Sequence, residues 1–254
     1  MQDSIQTDRI IDFSNLEAQI SNAEEGLVFL INKPLSWTSF DVVNKLRFAL
    51  RHATGNRKIK VGHAGTLDPL ATGLLLVCVG KYTKKIDELT SMSKAYVAKV
   101  KFGAETASYD AECEEENLKP ELVPASVNEL ESVLGAFRGH IMQTPPLYSA
   151  IKINGKEAYK IARSGKTAEL KQRPVNIIEL KVVSYEAPFA ELFIECTKGT
   201  YIRSLAHDIG QELGCGGYLT GLVRTSIDEY QNEKAIGVNE AVQFIQERII
   251  KKQD

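Results

Sequence analysis

The chain has 254 residues, 43% hydrophobic and 25% charged, a globular composition that predicts one sizeable core, or one core plus a small appendage, rather than a second full domain. A net charge of −2 argues against a nucleic-acid partner held by bulk charge; four cysteines without a CxxC pair exclude a disulfide framework, and four histidines without metal-ligand spacing leave buried thiols and no metal as the expectation. The N-terminus carries early acids and no apolar signal core, and the longest apolar stretch, Leu74 to Val79, is too short for a bilayer, so a cytoplasmic protein without membrane association is expected.

Along the chain, residues 1–25 read as a polar leader ahead of the fold. LVFLINKP (27–34) predicts a buried strand stopped by Pro34. A helix follows: Thr38 and Asp41 make a capping box, Val43, Leu46, Leu50 and Ala53 an apolar stripe, and Gly55 a C-terminal cap, with Arg51, Arg57, Lys58 and Lys60 as a basic patch at its end. After a glycine-rich loop (62–73), Leu74 to Val79 reads as a strand buried on both faces, and YVAKVKFG (96–103) alternates like a half-buried one. Residues 105–121 hold Glu105, Asp110, Glu112, Glu114, Glu115, Glu116 and Glu121, an acidic run expected to be a solvated loop that masks basic segments when charge is summed. A second helix starts at a Ser126/Glu129 capping box ahead of Leu130, Val133, Leu134 and Phe137. Residues 175–184 and 191–197 predict an antiparallel hairpin through EAPFAE. Leu205, Ile209 and Leu213 mark a helix ending at Gly214, and Val238, Val242, Ile245 and Ile249 a last helix over Val238 to Lys252. Strands in runs rather than in strict alternation with helices predict an α+β sheet with helices packed on it.

Three segments could carry chemistry. GHAGTLDPLATG (62–73) packs three glycines and a proline into twelve residues, which specifies a particular loop conformation, and Pro69 restricts the backbone of Asp68. Local pattern alone leaves open whether that carboxylate is functional or only caps a turn. In KGTYIRSLAHDIG (198–210), Tyr201 and Arg203 are expected near a strand end on one face, with Ile202 turned the other way. An arginine near Asp68 would keep it ionised, by roughly 1 to 3 pKa units at ion-pair distance, and orient it. In KINGKEAYKIARSGK (152–166), Lys156, Lys160 and Arg163 are expected on one stripe of a short helix, flanked by Lys152 and Lys166, which suits phosphates or plain solvent.

Six segments occur in one order: NKPLSWTSFDVV (32–43), GHAGTLDPLATG (62–73), KAYVAKVKFG (94–103), TPPLYSAIKINGKEAY (144–159), RPVNI (173–177) and CTKGTYIRSLAHDIGQELGCGGYL (196–219). Together they resemble the bacterial TruB family of tRNA pseudouridine-55 synthases, over roughly Gly26 to Ile250. The resemblance implies a pseudouridine synthase fold, α+β, with a mixed, largely antiparallel sheet, flanking helices and a central RNA-binding cleft. By motif matching, Asp68 resembles the family's catalytic aspartate, Tyr96 its active-site tyrosine, and Tyr201 and Arg203 its phenol and its aspartate-pairing arginine. His63 resembles the histidine that fills the stack after base extrusion, and the segment of about 144–172, with Lys152, Lys156, Lys160 and Arg163, the RNA-gripping insertion.

The resemblance further implies a tRNA T-stem-loop as substrate, no cofactor, and a monomer. Two departures stand out. Relatives usually carry a C-terminal PUA domain, which is not expected within 26–254. Where they have a Thr-Asp-Thr run, this sequence reads Thr106, Ala107, Ser108, although Asp110 is near. Two other readings compete: a nucleoside hydrolase, which would normally need a second carboxylate, and a non-catalytic RNA-binding or tRNA-folding module, for which aromatic and basic residues suffice.

Overall fold

The computed structural model describes residues 5–153 and 155–249. The chain divides into two units, Met1–Lys94 with Val223–Asp254, and Ala95–Leu222.

In the first unit the segment read as a polar leader is part of the fold. Strand β1 (Ile10–Ile11) pairs in parallel with β2 (Leu27–Lys33), and Ile11, Ile20 and Ala23 are buried in the core. Three apolar residues in a polar stretch give no periodic signal, yet each finds a place against the sheet. Strand β2 is buried along its length apart from Asn32, as its unbroken apolar run requires. Helix α1 (Ser39–Thr54) starts where expected: Thr38 Oγ1 accepts from the Asp41 N–H at 3.0 Å, Asp41 Oδ2 accepts from the Thr38 N–H at 2.9 Å, and Gly55 ends it at φ 73°. Its Val42, Val43, Leu46, Ala49 and Leu50 join Phe29 and Val77 in one core, each large side chain contributing about 1.5–3 kcal/mol of burial.

Strands β3 (Val61–Ala64) and β4 (Ala71–Val79) are antiparallel, with His63 opposite Val77, and β4 is antiparallel to β2. The stretch 62–73 is therefore not one loop. Gly62, His63 and Gly73 are strand residues, and only residues 65–70 are irregular. Gly73 is a glycine because its φ is +99° and a Cβ would lie 2.3 Å from the Arg224 carbonyl oxygen. A short helix that the sequence did not announce, α2 (Ile86–Ser91), follows.

The second unit opens with β5 (Lys94–Phe102), whose buried Ala98, Val100 and Phe102 alternate with its more exposed positions. The acidic run is not simply a solvated loop. It folds into a small hairpin of β6 (Glu105–Thr106) and β7 (Glu115–Glu116), buries Asp110, and places Glu115 to accept from Tyr218 Oη at 2.5 Å. Helix α3 (Val127–Leu134) is capped by Ser126, but the Glu129 carboxylate accepts from the Ala125 N–H at 2.8 Å, so the capping box is displaced by one residue. Then come β8 (Gly139–Gln143), the hairpin of β9 (Lys152–Ile153) and β10 (Lys156–Glu157), and α4 (Ala158–Arg163). The expected hairpin forms from β11 (Arg173–Glu186) and β12 (Phe189–Cys196), joined through a cis Ala187–Pro188 bond, before α5 (Ile202–Glu212).

The chain returns to the first unit along β13 (Gly217–Ile227), β14 (Tyr230–Gln231) and α6 (Val238–Arg248), where Phe244 meets Phe29 edge-on at 6.0 Å between ring centroids. Part of the predicted last helix, at Lys252, lies outside the described residues. Strand order is β1-β2-β4-β13 in the first unit and β5-β12-β11-β8 in the second. β2 with β4, β3 with β4, β8 with β11, β11 with β12 and β13 with β14 pair antiparallel and β1 with β2 parallel, so the fold is α+β with a mixed, largely antiparallel sheet. No described helix is long and apolar enough to cross a membrane.

Candidate active site

Asp68 sits on the turn between β3 and β4 with both sequence neighbours anchored. Ser39, buried at the first position of α1, donates its hydroxyl to the Leu67 carbonyl at 3.1 Å and accepts from the Leu67 N–H at 2.9 Å. On the other side the Pro69 carbonyl accepts from the Ser36 N–H at 2.8 Å, and the Asp68 carbonyl from the Ala71 N–H at 3.1 Å. A half-exposed carboxylate is thus presented from a backbone that has little room to move, which is what a reacting group requires.

Lys33 is the residue here that sequence reasoning missed. It ends β2 with 0% of its surface exposed, and its ammonium donates to the Pro34 and Trp37 carbonyls at 2.9 and 2.6 Å and reaches Pro69 O at 3.5 Å. Burial pulls its pKa down to about 8; Arg224 pushes the same way, while Asp68 and Asp41 oppose. The proton on Lys33 therefore comes off within an accessible range. A neutral amine has two N–H groups for three carbonyls and no charge to favour an ionised Asp68. Turnover is expected to fall severalfold as pH rises through about 8. The sign for stability is the reverse: a lysine whose folded pKa lies below its unfolded value of 10.5 costs stability while charged, and that cost is relieved from about pH 8 upward. Single-turnover rates and melting temperatures measured between pH 6.5 and 9.5 should therefore diverge, and a flat rate profile would refute this role.

His63 is half-buried in β3, and its Nδ1 is buried with no hydrogen-bond partner. Burial, and then the charge of Arg224, lower its pKa, so the ring is neutral near pH 7 and suited to stacking.

In the second unit the expected strand placement of Tyr201 and Arg203 is overturned. Strand β12 ends at Cys196, a turn through Gly199 (φ 86°) follows, Tyr201 is the N-cap of α5, and Arg203 lies in that helix's first turn. The two do not share a pleat face, and Ile202 is buried alongside Arg203 rather than opposed to it. Tyr201 is held by its backbone: the Gln143 side chain accepts from its N–H at 2.8 Å and donates to its carbonyl at 3.0 Å, while the Arg173 guanidinium lies 4.5 Å from its ring centroid. Ser204 adds a hydrogen bond to the Thr144 carbonyl at 2.7 Å.

Arg203, 6% exposed, donates to the Ser108 and Tyr148 carbonyls at 3.1 and 3.0 Å and pairs with Asp110 at 3.5 Å. Asp110 in turn accepts from Ser108 Oγ at 2.6 Å and the Glu112 N–H at 3.0 Å. The substitution at Ala107 therefore leaves Arg203 with a buried carboxylate, supplied by Asp110. Tyr96 is buried in β5.

The basic segment also differs from its reading. Lys152 and Lys156 lie on the β9–β10 hairpin, so only Lys160 and Arg163 share a helix, α4. The two-residue strand Lys156–Glu157 displaces the start of the helical stripe. Lys160 pairs with Glu157 at 3.0 Å and Arg163 with Glu112 at 2.8 Å, both near the ring of Tyr159. Exposed pairs of this kind are worth at most about 1 kcal/mol, so phosphates could displace them.

Among solved structures the chain is similar to one from a Cbf5–Nop10–Gar1 complex, with a TM-score of 0.66 and 27% identity over 87% of this chain and 54% of that one. It is also similar to one from an H/ACA RNP bound to a substrate RNA containing 2′-deoxyuridine, with a TM-score of 0.61 and 26% identity over 85% and 52%. The chain spans about half the length of these two. The class is that of a pseudouridylate synthase, as the family models show. The model of the N-terminal domain of TruB family pseudouridylate synthase matches residues 51–202, and that of the tRNA pseudouridylate synthase B C-terminal domain matches 203–252. The chain belongs to the TruB family. Proteins named tRNA pseudouridine synthase B from Parabacteroides distasonis and Chlorobaculum tepidum are 45% and 42% identical to it, over 89% and 88% of this chain and 96% and 92% of theirs.

Proposed function

We propose that this chain isomerises uridine to pseudouridine in tRNA, at position 55 of the T-loop, with Asp68 as the nucleophile. The observation that carries the reading is the anchoring of Leu67 and Pro69 on either side of a half-exposed Asp68, in a chain of this family. The target base is stacked in the folded loop, so it is flipped out at a cost of a few kcal/mol. Stacking on Tyr96 and His63, roughly 1–3 kcal/mol per base, offsets that cost.

Attack by the ionised carboxylate at the ribose, or elimination to a glycal, breaks the C1′–N1 bond. Uracil rotates and C5 bonds to C1′ as the Asp68–C1′ ester bond breaks and frees the carboxylate, or, on the glycal route, as Asp68 returns to C2′ the proton it had removed; the C5 hydrogen then leaves to water and N1 takes up a proton. Arg203 keeps the carboxylate ionised, Tyr201 contributes its phenol to the same reaction, and Tyr96 relays a proton. Because uracil is retained, the reaction needs no redox or group-transfer cofactor. Lys152, Lys156, Lys160 and Arg163 grip the phosphates of the T-stem-loop. The enzyme works as a monomer in the cytoplasm.

The test is release of tritium from C5 of labelled uridine in a T-stem-loop RNA, with a control RNA whose target uridine is cytidine. Release from the first alone is the expected result. Tight binding with no release from the loop or from intact tRNA would instead identify an RNA-folding module.

A further inference from the structure

Arg224, on β13, is the largest fully buried side chain among the described residues, at 1% exposure. Burying a guanidinium is costly, and an aliphatic chain of similar length would fill the space without that cost. Its hydrogen bonds run to main-chain carbonyls: Nε donates to Leu74 O at 2.7 Å and Nη2 to Gly65 O at 3.0 Å. Gly65 is where the chain leaves β3, and Leu74 lies in β4 just after the turn. The two carbonyls are thus the two ends of the segment that carries Asp68. The backbone of Arg224 is seated against the same segment, since a Cβ on Gly73 would come within 2.3 Å of Arg224 O and 2.7 Å of Arg224 N. Ser39, Ser36 and Lys33 hold the crest of the turn through Leu67 and Pro69; Arg224 holds its base.

We propose that Arg224 is the positioning residue for Asp68: the rigid fork of its guanidinium fixes the spacing between the two ends of the 65–74 segment and so sets the carboxylate for attack. This rests on the reading of Asp68 as the nucleophile. A lysine could not replace it, because one ammonium cannot reach both carbonyls with fixed geometry. The charge of Arg224 also acts on Lys33, whose other facing charges are Asp68 and Asp41, and lowers its pKa.

The test uses the full chain with Arg224→Met and Arg224→Lys, measuring the single-turnover rate at saturating T-stem-loop RNA, the Kd for that RNA, the melting temperature, and the rate against pH. A displacement of the carboxylate by about an ångström costs roughly 100-fold in rate. Arg224→Met is expected to lose about that much with Kd within about threefold, and Arg224→Lys to lose about tenfold. In both cases the fraction of folded protein is corrected for. The alkaline fall in rate should move to higher pH in Arg224→Met and stay in place in Arg224→Lys. A near-normal rate in the folded Met variant overturns the proposal, as does a loss that appears only in Kd or only in proportion to unfolded protein. If Arg224→Met does not fold, Arg224→Lys decides by the same division between rate and Kd. An active Asp68→Asn enzyme would instead overturn the nucleophile reading, whatever the Arg224 variants do.

Discussion

Asp68→Asn should lower the single-turnover rate of pseudouridine formation by about 10⁴-fold or more, the scale on which removal of a nucleophile acts, while Kd for the T-stem-loop stays within severalfold. The replacement keeps the shape of the side chain and replaces the nucleophilic carboxylate by an amide. The anchors of the turn are main-chain groups of Leu67, Pro69 and Asp68 itself, held by Ser39, Ser36 and Ala71, and none of these depends on the carboxylate. The melting temperature should therefore change little. Tritium release and filter binding on the same preparation separate the two effects. Turnover within tenfold of the parent would remove Asp68 from the chemistry.

The largest stability effect is expected at Asp110. Its carboxylate and the Arg203 guanidinium are 3.5 Å apart with each side chain 7% exposed, and the same carboxylate ties Ser108 and Glu112 into the turn. Asp110→Ala takes a buried countercharge away from a buried cation, a change that typically costs about 3–5 kcal/mol. At roughly 2–4 °C per kcal/mol for a chain of this size, the melting temperature should drop by about 6–20 °C. The double variant Asp110→Ala/Arg203→Met should recover part of that loss, because the buried cation that Asp110 had faced is gone as well. Calorimetry on the single and double variants gives the comparison. A single variant within 1 kcal/mol of the parent would show that the carbonyls of Ser108 and Tyr148 satisfy Arg203 without Asp110.

What was legible in the sequence was local. Helix α1 could be drawn because its cap, its stripe and its terminal glycine are all within a few turns of one another, and the β11–β12 hairpin because its strands are joined by a short turn at Ala187–Pro188. The start of helix α5 is illegible for the same reason. Tyr201, its N-cap, makes no side-chain cap, so the Ser, Thr, Asp or Asn that normally marks a helix start is missing and Tyr201 and Arg203 read as lying near a strand end. The site divides along this line. The motif around Asp68 stands out by pattern, which leaves a turn-capping role open, and Tyr96, Tyr201 and Arg203 are proposed for the site on the resemblance alone. Arg224 could not be found, because its acceptors lie 150 and 159 residues away in the chain. Lys33 could have been suspected, since a lysine closing a run as apolar as LVFLIN has no inexpensive way to be buried.

Gln143 extends β8 by one rung that no strand provides: its amide oxygen and nitrogen take the N–H and the carbonyl of Tyr201 as a neighbouring peptide would. Glutamate differs from glutamine by a single base in the codon and by a single atom in the side chain, yet it offers an acceptor where a donor is needed. Asparagine keeps the amide but falls short by one methylene. Either replacement should therefore loosen the seating of the Tyr201 backbone ahead of α5.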